Sequence, residues 1–120
     1  MMMPPVSVIL CTYNAQQHML RRCLGSLAAQ DLPASIYELV VVDNCSNPPL
    51  NKAALEMMAG RDVILVRERR PGLVHARVAG FRSAKTDLLI FIDDDNEFMA
   101  DYLSRALRIA EEEPSCGSAA

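Results

Sequence analysis

Leu88-Leu89-Ile90-Phe91-Ile92 runs without a polar residue straight into Asp93-Asp94-Asp95-Asn96. A short apolar run that is not interrupted every second residue, and is bounded by loop chemistry, reads as a strand buried on both faces. The same design recurs upstream. Val6–Cys11 is a compact β-branched run, Glu38–Val42 is a second one closing at Asp43, and Val63–Val66 is a short third. Between them the apolar residues change period. Leu20, Cys23, Leu24 and Leu27 recur at helical spacing, so Gln17–Gln30 reads as an amphipathic helix, ended at Asp31-Leu32-Pro33. Leu50–Met58 is a modest helix that Gly60 can terminate. A further helix spans about Leu73 to Ala84. The last, Tyr102–Glu112, follows the acidic triplet and is stopped by Pro114.

Strand–helix alternation repeated four times implies an α/β domain. It is a Rossmann-like parallel sheet of about four strands, with helices on both faces and right-handed crossovers. In such a sheet, ligands bind beyond the carboxyl ends of the strands. Chemistry is therefore expected in Thr12–Gln16, Asp43–Asn47, Arg67–Gly72 and Asp93–Glu97.

The chain has 120 residues, room for one domain, and a net charge of −3. That charge and the few aromatic residues give no reason to expect a nucleic-acid partner. The start, MMMPPVSVILC, has no basic leader, and no stretch approaches the ~18 apolar residues that span a bilayer. The four cysteines, Cys11, Cys23, Cys45 and Cys116, are irregularly spaced with no CxxC pair. Cys11 and Cys23 fall at apolar positions and read as small buried hydrophobes. The expectation is a protein of the reducing cytoplasm with no membrane segment.

Three adjacent carboxylates at the mouth of a buried sheet repel one another, and a divalent cation removes the conflict. Hard oxygen ligands suit Mn2+ or Mg2+. In an extended segment Asp93 and Asp95 point to one side and Asp94 to the other. The rival reading is a solvated acidic turn leading into the next helix. Asp43 sits where an acidic residue of a dinucleotide-binding fold takes a ribose hydroxyl, but the turn Thr12-Tyr13-Asn14-Ala15-Gln16 has no glycine, which disfavours nicotinamide or flavin cofactors. Asp43 and Asn44 can equally hydrogen-bond their own loop. Tyr13 can stack on a base or pack beneath its loop. Arg67, Arg69 and Arg70 can approach a diphosphate, although solvation is the favoured reading of each alone. Arg77, among apolar neighbours, can be drawn inward to the acidic cluster. His18 and His75 are given no role.

Taken together, these pieces resemble the family-2 glycosyltransferases, inverting enzymes on the GT-A fold. The matching residues are Val6–Asn14 (VSVILCTYN), Leu20–Gln30 (LRRCLGSLAAQ), Glu38–Asn44 (ELVVVDN), Gly72-Leu73, Ala76-Arg77, Ala79-Gly80 and Leu89–Asp95 (LIFIDDD). The order and spacing hold from Val6 to about Glu112. The resemblance implies a nucleotide-diphospho-sugar donor, with Thr12, Tyr13, Asp43 and Asn44 lining the base pocket. Arg77 is counted with the nucleotide-binding residues. The triplet looks like the family's DXD motif, with Asp95 reaching the metal on the diphosphate, and Asp93 and Asp94 toward the ribose and metal waters, Asp93 being also a candidate ligand.

Three departures are visible. Asn44 stands where many members have a second aspartate, and Val78 where an asparagine is frequent. The family's catalytic base lies well beyond the DXD motif, in an acceptor-binding half that this chain is expected to lack. Residues 1–120 are thus expected to form a single donor-binding domain (the N-terminal half of a GT-A fold), with an unpaired sheet edge open to a homodimer. The rival classes are a non-catalytic nucleotide-binding or assembly module and a small metal-dependent phosphotransfer domain.

Overall fold

The computed structural model describes residues 6–112, so Glu113, Pro114 and Cys116 lie outside the described residues. Nine elements alternate as expected: β1 (Val6–Thr12), α1 (Gln17–Ala28), a short 3-10 turn (Ala34–Ile36), β2 (Tyr37–Asn44), α2 (Lys52–Ala59), β3 (Ile64–Glu68), α3 (Leu73–Ser83), β4 (Leu88–Asp93) and α4 (Tyr102–Glu112). The sheet order is β3-β2-β1-β4, and every pairing is parallel. The β-strands extend one or two residues beyond their apolar runs, because ladder pairing continues after burial of side chains has stopped mattering. Among the described residues no helix is long and apolar enough to cross a membrane.

Alternation along each strand divides the core into two layers. Val6, Val8, Leu10, Leu39, Val41, Ile90 and Ile92 face α1, α2 and α4, whose Leu20, Leu24, Leu27, Leu55 and Leu103 fill that side. Ile9, Val40, Val42 and Leu89 face α3, which contributes Ala76. The chain moves outward through β2 and β3 with helices on the first face, then returns to β4 with α3 on the second. Reversing direction and face together keeps a single hand for all three crossovers. The reversal also places the topological switch point between β1 and β4.

Local chemistry explains the ends. Asn51 caps α2 by accepting from the Ala54 amide at 3.0 Å, and Gly60, at φ 65°, closes it with a bond from its own N–H to the Glu56 carbonyl. The entry to α4 is held from a distance: Gln30 on the far side of α1 donates to the Met99 carbonyl at 2.7 Å and accepts from the Leu103 amide at 2.9 Å. Glu97 belongs to the loop before α4, not to the helix, and is paired to Arg22 at 3.2 Å.

Helix α3 approaches the sheet as closely as glycine permits. A Cβ on Gly80 would sit 2.5 Å from Ile9 Cγ2 and 3.3 Å from Val42 Cγ2. Gly80→Ala should therefore destabilise the fold by ~1–3 kcal/mol despite alanine's better helix propensity. Gly25 in α1 has nothing within 4 Å of its would-be Cβ. Gly25→Ala should raise stability by ~0.5–1 kcal/mol. Urea midpoints of the two variants moving the same way would refute this account of the helix contact.

The thiols offer a second check. Burial pushes Cys11 up to about 11, with Arg77 opposing and Asp93 adding to the rise. Burial, then the charges of Asp94, Asp95 and Asp93, push Cys23 up to about 12. Cys45 is exposed. In a Cys116→Ser background, a disulfide reagent at pH 8 should label Cys45 and leave Cys11 and Cys23 untouched until the chain is denatured. Mass spectrometry of the native, labelled protein reads the outcome, and fast modification of Cys23 would contradict the packing described.

Candidate functional site

The register brings the expected loops to one edge. Thr12 is level with Asp43, Asp43 with Arg67, and Cys11 with Asp93. The acidic triplet and the Thr12–Gln16 loop therefore share the carboxyl end of the sheet, flanking the switch point.

A single bond closes that switch point. The Thr12 hydroxyl donates to Asp94 Oδ2 at 2.6 Å, joining the end of β1 to the turn after β4. The segment stays extended only through Asp93 and then turns, so the alternation expected of an extended triplet does not apply to Asp94 and Asp95. Asp94 is drawn in toward Thr12, while Asp93 and Asp95 are exposed. Among the described residues neither of those two carboxylates takes a hydrogen bond or an ion pair from the chain. Their field is felt by the Cys23 thiol, which also lies 3.5 Å from the Asp93 carbonyl.

The first two loops are stitched together. Asn14, at φ 47°, receives Asn47 N–H on its Oδ1 at 2.8 Å and gives its own amide to the Ser46 hydroxyl at 3.0 Å. Asparagine tolerates this left-handed backbone better than most residues. Asp43, 3% exposed, accepts from Ser46 N and Leu50 N, and its Oδ2 also takes Arg67 Nη1 at 3.0 Å. Arg67 is exposed, as read from the sequence, but it is also paired. Its parallel neighbour in the register is Asp43, and its second nitrogen holds the Leu50 carbonyl at 2.7 Å.

Asn44 has the most constrained side chain at this edge. Its Nδ2 donates to the carbonyls of Glu68 and Arg70 at 3.0 and 2.8 Å, and its Oδ1 accepts from Gly72 N–H at 3.0 Å. Two carbonyls and one amide as partners fix which end is nitrogen. An aspartate here would aim an acceptor at two acceptors, which is the physical content of the departure at this position. Gly72 then leaves the loop at φ 126°, a conformation open to glycine. Arg70 closes back on Glu68, whose carboxyl is lowered to about 2, chiefly by the side-chain hydrogen bond from Arg70 and then by its backbone amide.

These contacts shape a cavity of about 220 Å³ lined by Cys11, Thr12, Tyr13, Asn44, Pro71, Gly72 and Leu73. Tyr13 is 63% exposed and stands over it rather than packing beneath the loop. Arg77 departs from expectation. It is exposed, with its guanidinium 6.0 Å over the Phe91 ring and no ion pair to the acidic cluster. The cause is helical phase: Ala76 faces the sheet, so Arg77, ~100° on, leaves the flank of α3 and lies over Phe91 rather than in the acidic turn. His18 and His75 join no cluster, and among the described residues no three His, Cys, Asp or Glu side chains converge on a metal position. What the edge does offer is two unengaged hard carboxylates, Asp93 and Asp95, beside a cavity for a ligand. That donor set fits a Mg2+- or Mn2+-type ion that completes its shell with ligand oxygens and water. Residue reasoning missed the Thr12–Asp94 bond and the Arg67–Asp43 pair. The signal for both was position: each member is a polar residue at or just past the carboxyl end of an apolar run.

Comparison with known proteins agrees with this geometry. The family model described as Glycosyl transferase family 2 matches residues 7–119. An uncharacterised glycosyltransferase from Haemophilus influenzae is 31% identical over 111 residues, covering 92% of this chain and 36% of that protein. Among solved structures, a mannosyltransferase from Pyrobaculum calidifontis in complex with GDP-Man and Mn2+ superposes with a TM-score of 0.74. It is 30% identical over 89% of this chain and 32% of its own. S. aureus TarS 1-349 in complex with UDP-GlcNAc gives a TM-score of 0.67 at 26% identity, covering 92% of this chain and 32% of that one. The chain spans about a third of the length of the first curated relatives it matches. With the family model spanning nearly the whole sequence and the switch-point site where such folds bind ligands, the chain belongs to glycosyl transferase family 2.

Proposed function

We propose that this chain binds the nucleotide-diphosphate donor of a glycosyltransferase that moves a sugar to an acceptor hydroxyl with inversion. The observation that carries the reading is the side-by-side placement of the Tyr13-capped cavity and the free Asp93 and Asp95 carboxylates, joined through Thr12 and Asp94. A cavity of about 220 Å³ is smaller than the ~300–1,000 Å³ sites that enclose a whole drug-sized ligand. It suits one ring, with the rest of the donor running out along the edge toward the triplet.

In this reading Tyr13 stacks on the base and Asn44 keeps the Glu68–Gly72 backbone shaped around it. Thr12 holds Asp94 in one orientation, facing the ribose. Asp95, with Asp93, would hold a Mn2+ or Mg2+ ion, whose chemistry is to offset the charge that develops on the departing diphosphate. The acceptor oxygen forms a bond to the anomeric carbon as the sugar–phosphate bond breaks, and the acceptor proton must go to a base. Among the described residues past Asp95, Glu97 is paired with Arg22, Asp101 lies just before α4 beside an apolar groove, and Glu111 and Glu112 close that helix, roughly 15 Å along its axis at ~1.5 Å per residue. None of them is joined to the triplet by a hydrogen bond or ion pair, so in this reading the base lies in chain beyond these residues and the 120-residue chain is a donor-binding part. The rival, a binding module without catalysis, shares the cavity but predicts no turnover in any longer form.

The unpaired outer edge of β4 supports a further element. Beside it a groove of about 540 Å³ is lined by Leu88, Ile90, Phe98, Tyr102 and Ile109, with Asp101 toward one end of α4 and Arg105 a turn on. A second copy related by a twofold axis could pair edge to edge and set the acid of one helix against the base of the other. Light scattering should give a dimer that Ile109→Glu weakens, and a monomer at all concentrations would remove this element.

Calorimetry with UDP and GDP tests the main reading. Binding should require Mn2+ or Mg2+, and Asp95→Ala should weaken it at least about tenfold, ~1.4 kcal/mol. Affinity unchanged by chelator would refute the metal assignment. Asn44→Asp should cost ~1–3 kcal/mol of stability, from acceptors left facing one another, and weaken the nucleotide as well. Acceptor-dependent sugar transfer by the 120-residue chain would overturn the donor-part reading.

A further inference from the structure

Helix α3 is apolar on two opposite sides, and the large residues are on the wrong one. Its sheet-facing side is built from Ala76 and Gly80, whereas Val74 is 72% exposed, Val78 37% and Phe81 65%. At ~100° per residue, Val74, Val78 and Phe81 fall within a ~60° arc, with Arg77 flanking on one side and Arg82 on the other. Lys85 follows, exposed, two residues past the helix end. Among the described residues nothing covers this arc, and the contact with the sheet is made on the opposite side.

Charge distribution identifies what the arc fits. Six of the chain's twelve basic residues lie between positions 67 and 85, against one acid, Glu68, in a chain whose net charge is −3. Arg67 is occupied by Asp43 and Arg70 by Glu68, but Arg69, Arg77, Arg82 and Lys85 make no salt bridge among the described residues. A central apolar line bordered by long cationic side chains is the pattern that lies in the plane of a bilayer. Rings and branched chains enter the acyl boundary, and the arginines and lysine meet lipid phosphates. A protein partner would need complementary grooves for three ridges. An anionic lipid surface needs no such fit.

We propose that the outward face of α3, centred on Val74, Val78 and Phe81 and bordered by Arg77, Arg82 and Lys85, docks this protein on an anionic membrane surface. The docking is peripheral and reversible, since one 11-residue helix buries too little to anchor permanently. Leu73 at the start of the same helix lines the Tyr13 cavity, so docking sets that cavity beside the lipid headgroups. The proposal does not depend on what the cavity binds.

The chain contains no tryptophan, so Phe81→Trp supplies a single reporter on the exposed face. With phosphatidylcholine vesicles carrying a quarter phosphatidylglycerol, its emission should shift to the blue and the protein should cosediment. With pure phosphatidylcholine both effects should be largely absent. Arg82→Glu with Lys85→Glu should lower partitioning about tenfold or more, and so should Val74→Ser with Phe81→Ser. Raising salt to about 0.5 M should release the protein. These positions are exposed, and circular dichroism checks that the fold is kept. Equal partitioning to neutral vesicles, or none to anionic ones, would overturn the proposal. A vesicle-free dimer that Val74→Ser with Phe81→Ser dissolves would do so too, by giving the face to a second copy.

Discussion

β1 has a neighbouring strand on each edge and a helix layer on each face, and Val6, Val8, Ile9 and Leu10 are all 0% exposed. A backbone so enclosed must satisfy every N–H and C=O within the sheet, because water cannot reach it. Parallel pairing on both sides does this, and it fixes the level of β2 and β4 relative to β1 to the residue. Only the two ends of β1 are left to do anything else. Thr12 at one end is therefore held at a defined height beside Asp43 and the Asp93–Asp95 turn, and the geometry of the candidate site follows from burial some distance below it.

The two ends are treated differently. At the amino edge, Ser7 and the Lys85 amide both satisfy the buried Glu38 carboxylate, and Thr86 bonds to Ser7 and to the Leu88 carbonyl. Among the described residues the buried polar side chains there all have partners in the chain. At the carboxyl edge, Asp93 and Asp95 have none. A sheet sealed at one end and chemically open at the other gives ligand binding a direction, and the loops at the open end are rigid where they hold each other and bare where they face outward.

The fold was legible in the sequence because it depends on period. Runs such as Val6–Cys11 and Leu88–Ile92 can be buried only in a covered parallel sheet, and the helices between them carry unmistakable spacing. The members of the site were legible too, as the polar residues that end those runs. Their pairing was not. Whether Asp43 meets a ligand or Arg67 depends on register, which no single strand encodes. The direction of Arg77 depends on α3 pressing its Ala76 and Gly80 side to the sheet, and the outer line of Val74, Val78 and Phe81 was hidden because an apolar residue in a helix reads as core until the packed side is known.

The strand order also has a consequence for how the protein is made. Of the described elements β1 is synthesised first, yet its second edge is closed by β4, with Val6 level with Leu88. At ~5–20 residues per second, a ribosome needs about 4–16 s to deliver that partner. For that interval β1, whose Val6, Val8, Ile9 and Leu10 are fully buried in the finished sheet, presents an open hydrogen-bonding edge. The half of the sheet made of β1, β2 and β3 can form before β4 is made, but the junction between Thr12 and Asp94 cannot. Closure of the binding edge therefore waits on the synthesis of β4.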